Sequence, residues 1–172
     1  MATRSAQPPL LRLSALIFSA AAFLGVLRFS GVYAEETAHK FISMLSAVGA
    51  FPALALTVLK PSAPNVKRWD LAAATLIALC SVGIVLVVVL ELRAYLQFCA
   101  LTATLIVAMS SLRLHQWTKA VAALVMLLGL LAFATKISAV SFLEPADLLH
   151  LALAAGWIAL ARPIKNPETS AR

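Results

Sequence analysis

Six stretches of the chain are apolar over a long run, residues 10–29, 41–59, 71–90, 94–112, 117–135 and 142–161, and short polar segments separate them. At about 1.5 Å of rise per residue, about 20 helical residues cross a hydrocarbon core of about 30 Å. The pattern therefore predicts six transmembrane helices. The third stretch carries no charge and ends in the largely β-branched run from Ile84 to Leu90. Such side chains favour helix poorly in water. In lipid a lone strand would leave its N–H and C=O groups unpaired, so helix is expected there too. The connections, residues 30–40, 60–70, 91–93, 113–116 and 136–141, are short enough to make neighbouring helices antiparallel. Pro61, Pro64 and Asn65 mark the second of them, and Pro163 and Pro167 stop the last helix. The predicted fold class is all-α: a polytopic integral membrane protein forming one antiparallel bundle of six transmembrane helices, with residues 162–172 as a short cytoplasmic tail.

Composition supports hydrocarbon as the solvent. Of 172 residues, 62% are hydrophobic and 12% charged, and the mean hydropathy is +0.96. Too little charge is present to coat a water-soluble globule of this size. The distribution of basic residues predicts the threading. With a cytoplasmic N terminus, ten of the 14 lie inside (Arg4, Arg12, Lys60, Lys67, Arg68, Arg113, Lys119, Arg162, Lys165 and Arg172) and four outside (Arg28, Lys40, Arg93 and Lys136). This bias puts both termini in the cytoplasm of a multi-pass protein in a bacterial-type inner membrane. It also accounts for the net charge of +7 without a nucleic-acid partner. Trp69, Trp117 and Trp157 fall toward the cytoplasmic side and Tyr33, Tyr95 and Phe142 toward the outer one, as two interfacial belts. A competing reading takes residues 1–34 as a cleaved signal peptide, with Val32, Tyr33 and Ala34 at its cleavage site. Arg28, between the apolar run and that site, speaks against it.

Little in the sequence carries familiar chemistry. Cys80 and Cys99 differ in depth and are read as small apolar side chains rather than a disulfide. Metalloprotease, phosphate-loop and serine-hydrolase motifs are absent. What stands out is polarity at the outer side. Glu144, Asp147 and His150 repeat every three residues along the start of the sixth span, and His39, Ser43 and Ser46 form a stripe on the second. If these spans pack together, the two stripes make a shallow polar pocket open to the outer face. Each member also has a structural reading: Ser141 and Glu144 fit a capping box, Asp147 suits a first helical turn, and Ser43 and Ser46 suit packing or bonding back to the helix. His150 lies about two turns inside the boundary, where an ionisable group tends to have a partner or a task. Pro52 should kink the second span, Gly49 allows close approach, and Ala152 with Gly156 forms a small-residue face for tight packing.

The segment Ala146-Asp147-Leu148-Leu149-His150-Leu151-Ala152-Leu153-Ala154-Ala155-Gly156-Trp157 resembles the last helix of the alkaline-ceramidase-like superfamily of multi-span hydrolases and receptors, and small bacterial members of it above all. In that superfamily this helix carries two metal-ligating histidines four apart and a glycine six residues after the second. His150 and Gly156 match the second histidine and the glycine, and Ala146 stands at the first. An earlier helix of those enzymes carries a serine and a histidine. Ala50 and Leu54 occupy these positions, and only Asp70 is available to match a later aspartate. The resemblance covers the last third of the chain, which has six spans where the superfamily has seven. It implies a related fold more than a shared activity.

Three functions follow as expectations. The first is a non-enzymatic bundle, with no cofactor, that binds a lipid or a membrane-protein partner at the outer polar pocket. The second is a zinc-dependent membrane hydrolase acting on a lipid amide or ester, the metal held by His39, His150 and one of Asp147 or Glu144. The third is a small transporter or channel. The third is disfavoured because the predicted midplane offers only serines, threonines, Cys80 and the Pro52 kink where transporters place ionisable or broken-helix elements.

Overall fold

A computed structural model describes residues 7–29, 36–136 and 145–160, and the described residues are helical, with short turns and no strand. The helices are α1 (Pro9–Phe29), α2 (Glu36–Leu59), a one-turn α3 (Pro64–Lys67), α4 (Trp69–Val89), α5 (Ala94–Arg113), α6 (Trp117–Thr135) and α7 (Pro145–Leu160). Five of them, α1, α2, α4, α5 and α6, are long and apolar enough to cross a membrane. In α7 the 16 described residues rise about 24 Å, short of a core of about 30 Å. The expected span at residues 142–161 is therefore matched only in part.

The second helix starts earlier than its apolar run, at Glu36 rather than residue 41. Glu36 and Lys40 stand one turn apart on its outside, with His39 turned inward, so amphipathic residues that read as loop form a first turn capped by an acid. Further along, Pro52 has no N–H to offer the carbonyl of Val48. The helix does not break there. Over Ser46–Ala50 it widens to a π-helix, and the Phe51 N–H reaches the Ser46 carbonyl. A second π-segment, Val85–Val89, ends α4, with the Leu90 N–H on the Val85 carbonyl at 3.0 Å. The β-branched run is thus helical as lipid requires, but its last turn is wider than an α-helix.

The π-segment of α2 sits at the centre of the molecule, touching α1, α4 and α5. Half of α2's most apolar window is buried, against 17% for α4. The approach is close because small residues face it. A β-carbon on Gly49 would collide with Cys80 Sγ, and one on Gly83 with the Val48 side chain. At the other side of the molecule α6 packs on α7 in the same way: a β-carbon on Gly129 would lie 2.5 Å from that of Ala152, and one on Gly156 would collide with Met126. Without a hydrophobic force between helices in lipid, such contacts supply much of the association.

Phe18 of α1 joins these halves. Its ring centroid is 4.8 Å from that of Phe51, edge-on at 88°, and 4.8 Å from that of Trp157, tilted at 52°. This corrects the expected belt for one tryptophan. Trp69 and Trp117 are 54% and 64% exposed, but Trp157 packs inward with its Nε1 buried. Its ring packs against Phe18 rather than lying at a wet boundary.

Candidate functional site

One histidine from each predicted stripe meets a third helix. Gly25, on α1, presents only a hydrogen to the interior, and a β-carbon there would lie 3.2 Å from His39 Cε1 and 3.7 Å from His150 Nε2. Both imidazoles therefore stand over the same notch. Their ring centroids are 6.2 Å apart and the planes are inclined by 31°. His39 is 7% exposed, and its Nδ1 lies 3.2 Å from the Ala21 carbonyl, one turn from Gly25 along α1. A carbonyl only accepts, so Nδ1 carries the hydrogen of this bond.

Just beyond the notch, where α1 ends and α2 begins, three charged side chains are linked. Glu36 Oε1 is 2.6 Å from Lys40 Nζ and 3.6 Å from Arg28. These exposed pairs add little stability, but they surround the approach to His39 with two cations and one anion. One turn deeper on α2, Ser43 is half-buried. Ser46 is buried, and its hydroxyl donates to the Ile42 carbonyl at 3.0 Å, so it bonds back along its own helix.

Of the predicted pocket residues, the structure brings together His39 and His150, and sets Ser43 and Ser46 below them on α2. Glu144 lies outside the described residues. Asp147 belongs to α7, but its side chain is outside what is described. Among the described residues no three of His, Cys, Asp and Glu converge on one point. His39 and His150 are two of the four residues expected to hold a metal, and the other two, Glu144 and the Asp147 side chain, lie outside what is described. Cys80 and Cys99 are free thiols, on α4 and α5.

Sequence reasoning missed the part played by α1. Gly25 and the Ala21 carbonyl complete the notch, and Arg28 belongs to the charged rim. The available signal was Gly25 itself: a glycine inside an apolar helix weakens it unless something packs closely there. Comparison of the chain with models of known protein families, with curated proteins and with solved structures found no match.

Proposed function

We propose that this is a small non-enzymatic membrane protein, an antiparallel six-helix bundle that binds a polar lipid headgroup at the Gly25 notch. The observation that carries this reading is the meeting of His39 and His150 over one glycine, beside Arg28 and Lys40. One imidazole is held by the Ala21 carbonyl, and the Arg28 and Lys40 cations beside it suit a phosphate. The antiparallel arrangement is supported by the order of contacts. Gly129 meets Ala152 while Met126 meets Gly156, and Gly49 meets Cys80 while Val48 meets Gly83, so in each pair one chain descends as the other rises. On this reading α7 is the sixth crossing, both termini are cytoplasmic, the membrane is a bacterial-type inner membrane, and the notch opens on the outer face.

A second reading, the zinc-dependent hydrolase, has one observation in its favour. A histidine whose second nitrogen is tied to a backbone carbonyl is arranged as metal-ligating histidines usually are. His39 and His150 would hold the ion with Asp147 or Glu144, and the metal would supply an activated water.

Native mass spectrometry of the protein released from its membrane, with metal analysis of the same sample, tests both. The headgroup reading expects bound phospholipid that falls in His39→Ala and His150→Ala, without stoichiometric zinc. Unchanged lipid in both variants contradicts it. Zinc lost on His150→Ala would favour the hydrolase.

A further inference from the structure

A second feature lies at the opposite end of the molecule and shares no residue with the notch. Between α6 and α7 runs an open groove of about 400 Å³, with Trp117, Thr118, Val121 and Val125 along one wall and Ala155 and Ala159 along the other. It exists because α7 offers only methyl groups there while the facing side chains of α6 stand proud, Trp117 being 64% exposed. The small-residue contacts of Gly129 with Ala152 and Gly156 with Met126 hold the two helices together behind it, so the groove is left over after the seam is made.

Its dimensions and charge decide between occupants. From Trp117 to Val125 the helix rises about 12 Å, whereas a crossing helix of a second copy would need a track of about 30 Å. The groove is therefore about one leaflet deep, the reach of one acyl chain. One end lies at the first turn of α6, where Thr118 supplies a hydroxyl and Trp117 an amphipathic ring suited to the headgroup level. Arg113 and Lys119 flank the α5–α6 turn at that end, and the stretch from Ala94 to Thr135 holds no carboxylate. Juxtamembrane cations of this kind attract anionic lipids.

We infer that the α6–α7 groove is a phospholipid site, taking one acyl chain of an anionic glycerophospholipid with its phosphate beside the α5–α6 turn. The full chain, reconstituted in vesicles of phosphatidylglycerol and phosphatidylcholine with identical acyl chains and examined by native mass spectrometry, provides the test. The wild type retains phosphatidylglycerol in preference to phosphatidylcholine. In a chain carrying His39→Ala and His150→Ala, which removes any lipid held at the notch, Ala155→Phe fills the groove from α7 and Val121→Trp fills it from α6; each lowers the retained phosphatidylglycerol at least fivefold. Ala154→Phe, exposed on α7 but outside the groove, leaves it unchanged. Arg113→Gln and Lys119→Gln each reduce the preference about fivefold, the equivalent of roughly 1 kcal/mol per basic residue near an anionic surface. Should Ala155→Phe unfold, as read by circular dichroism, Val121→Trp decides alone. Equal retention of the two lipids by the wild type, or undiminished retention in the folded groove variants, overturns the inference. So does a dimer that these variants dissociate without changing bound lipid.

Discussion

Val48 and Gly83 touch where α2 crosses α4, so tightly that a β-carbon on the glycine would enter the valine side chain. Val48 belongs to the π-segment that carries α2 past Pro52, and the crossing holds that widened turn in place. Overpacking a well-fitted contact costs typically about 1–3 kcal/mol. Gly83→Ala should destabilise the protein by that much in reversible unfolding by denaturing detergent. Val48→Ala in the same chain should recover at least half of the loss, because it removes the atoms that clash. A Gly83→Ala variant as stable as the wild type would mean the two helices do not meet there.

The tryptophans should differ in their surroundings. Trp157 packs on Phe18 with its Nε1 buried, while Trp69 and Trp117 are exposed at helix starts. In proteins retaining one tryptophan each, Trp157 should resist quenching by iodide, and Trp69 and Trp117 should be quenched at least severalfold more. Equal quenching of all three would return Trp157 to the interfacial belt.

The end of α5 carries a replaceable strain. His115 has a φ of 55°, and it closes the helix with its own N–H on the Leu112 carbonyl at 3.0 Å and the Gln116 N–H on Ser111 at 2.8 Å. This double closure is the one that glycine favours at the left-handed position. A histidine there costs about 1 kcal/mol, and the side chain is exposed. His115→Gly should raise the unfolding free energy by about 0.5–1 kcal/mol. A decrease would mean that the imidazole makes a contact worth more than the strain.

Gly25 should be as important to the notch as the histidines. A larger side chain on α1 would press His39 and His150 outward, since even a β-carbon lies 3.2 Å from one ring and 3.7 Å from the other. Gly25→Leu is therefore expected to lower phospholipid retention at the notch as far as His39→Ala does, while Gly25→Ala lowers it less. Retention by Gly25→Leu at the wild-type level would place the ligand elsewhere.

Much of this architecture is written in the sequence. Length and hydropathy located the helices, and α6 has the same ends, Trp117 and Thr135, as its apolar run. The start of α2 was misplaced because Glu36, His39 and Lys40 are polar, and apolar counting cannot distinguish an amphipathic first turn from a loop. The π-segments were invisible for a different reason. Pro52 announces a missing hydrogen bond, but how the backbone accommodates it depends on the neighbours against which Val48 and Gly49 are pressed. The common depth of His39 and His150 on two helices made their approach an expectation conditional on those helices packing together, and their rings lie 6.2 Å apart. The role of Gly25 carried no such expectation, because the notch exists only once α1 lies between them. Trp157 was misread because a tryptophan near a helix end fits a boundary and a core equally well until its partner Phe18 is known.

His150 of α7 reaches His39 of α2 across Gly25 of α1, so that the two histidines share one site. Cross-linking in intact lipid vesicles tests it most directly, using His39→Cys with His150→Cys in a chain carrying Cys80→Ser and Cys99→Ser, and a short bis-thiol-reactive linker. An intramolecular link between the helices is expected after proteolysis, and none for the pair Leu59→Cys and His150→Cys. Absence of the first link, or equal linking of both pairs, would contradict the shared site.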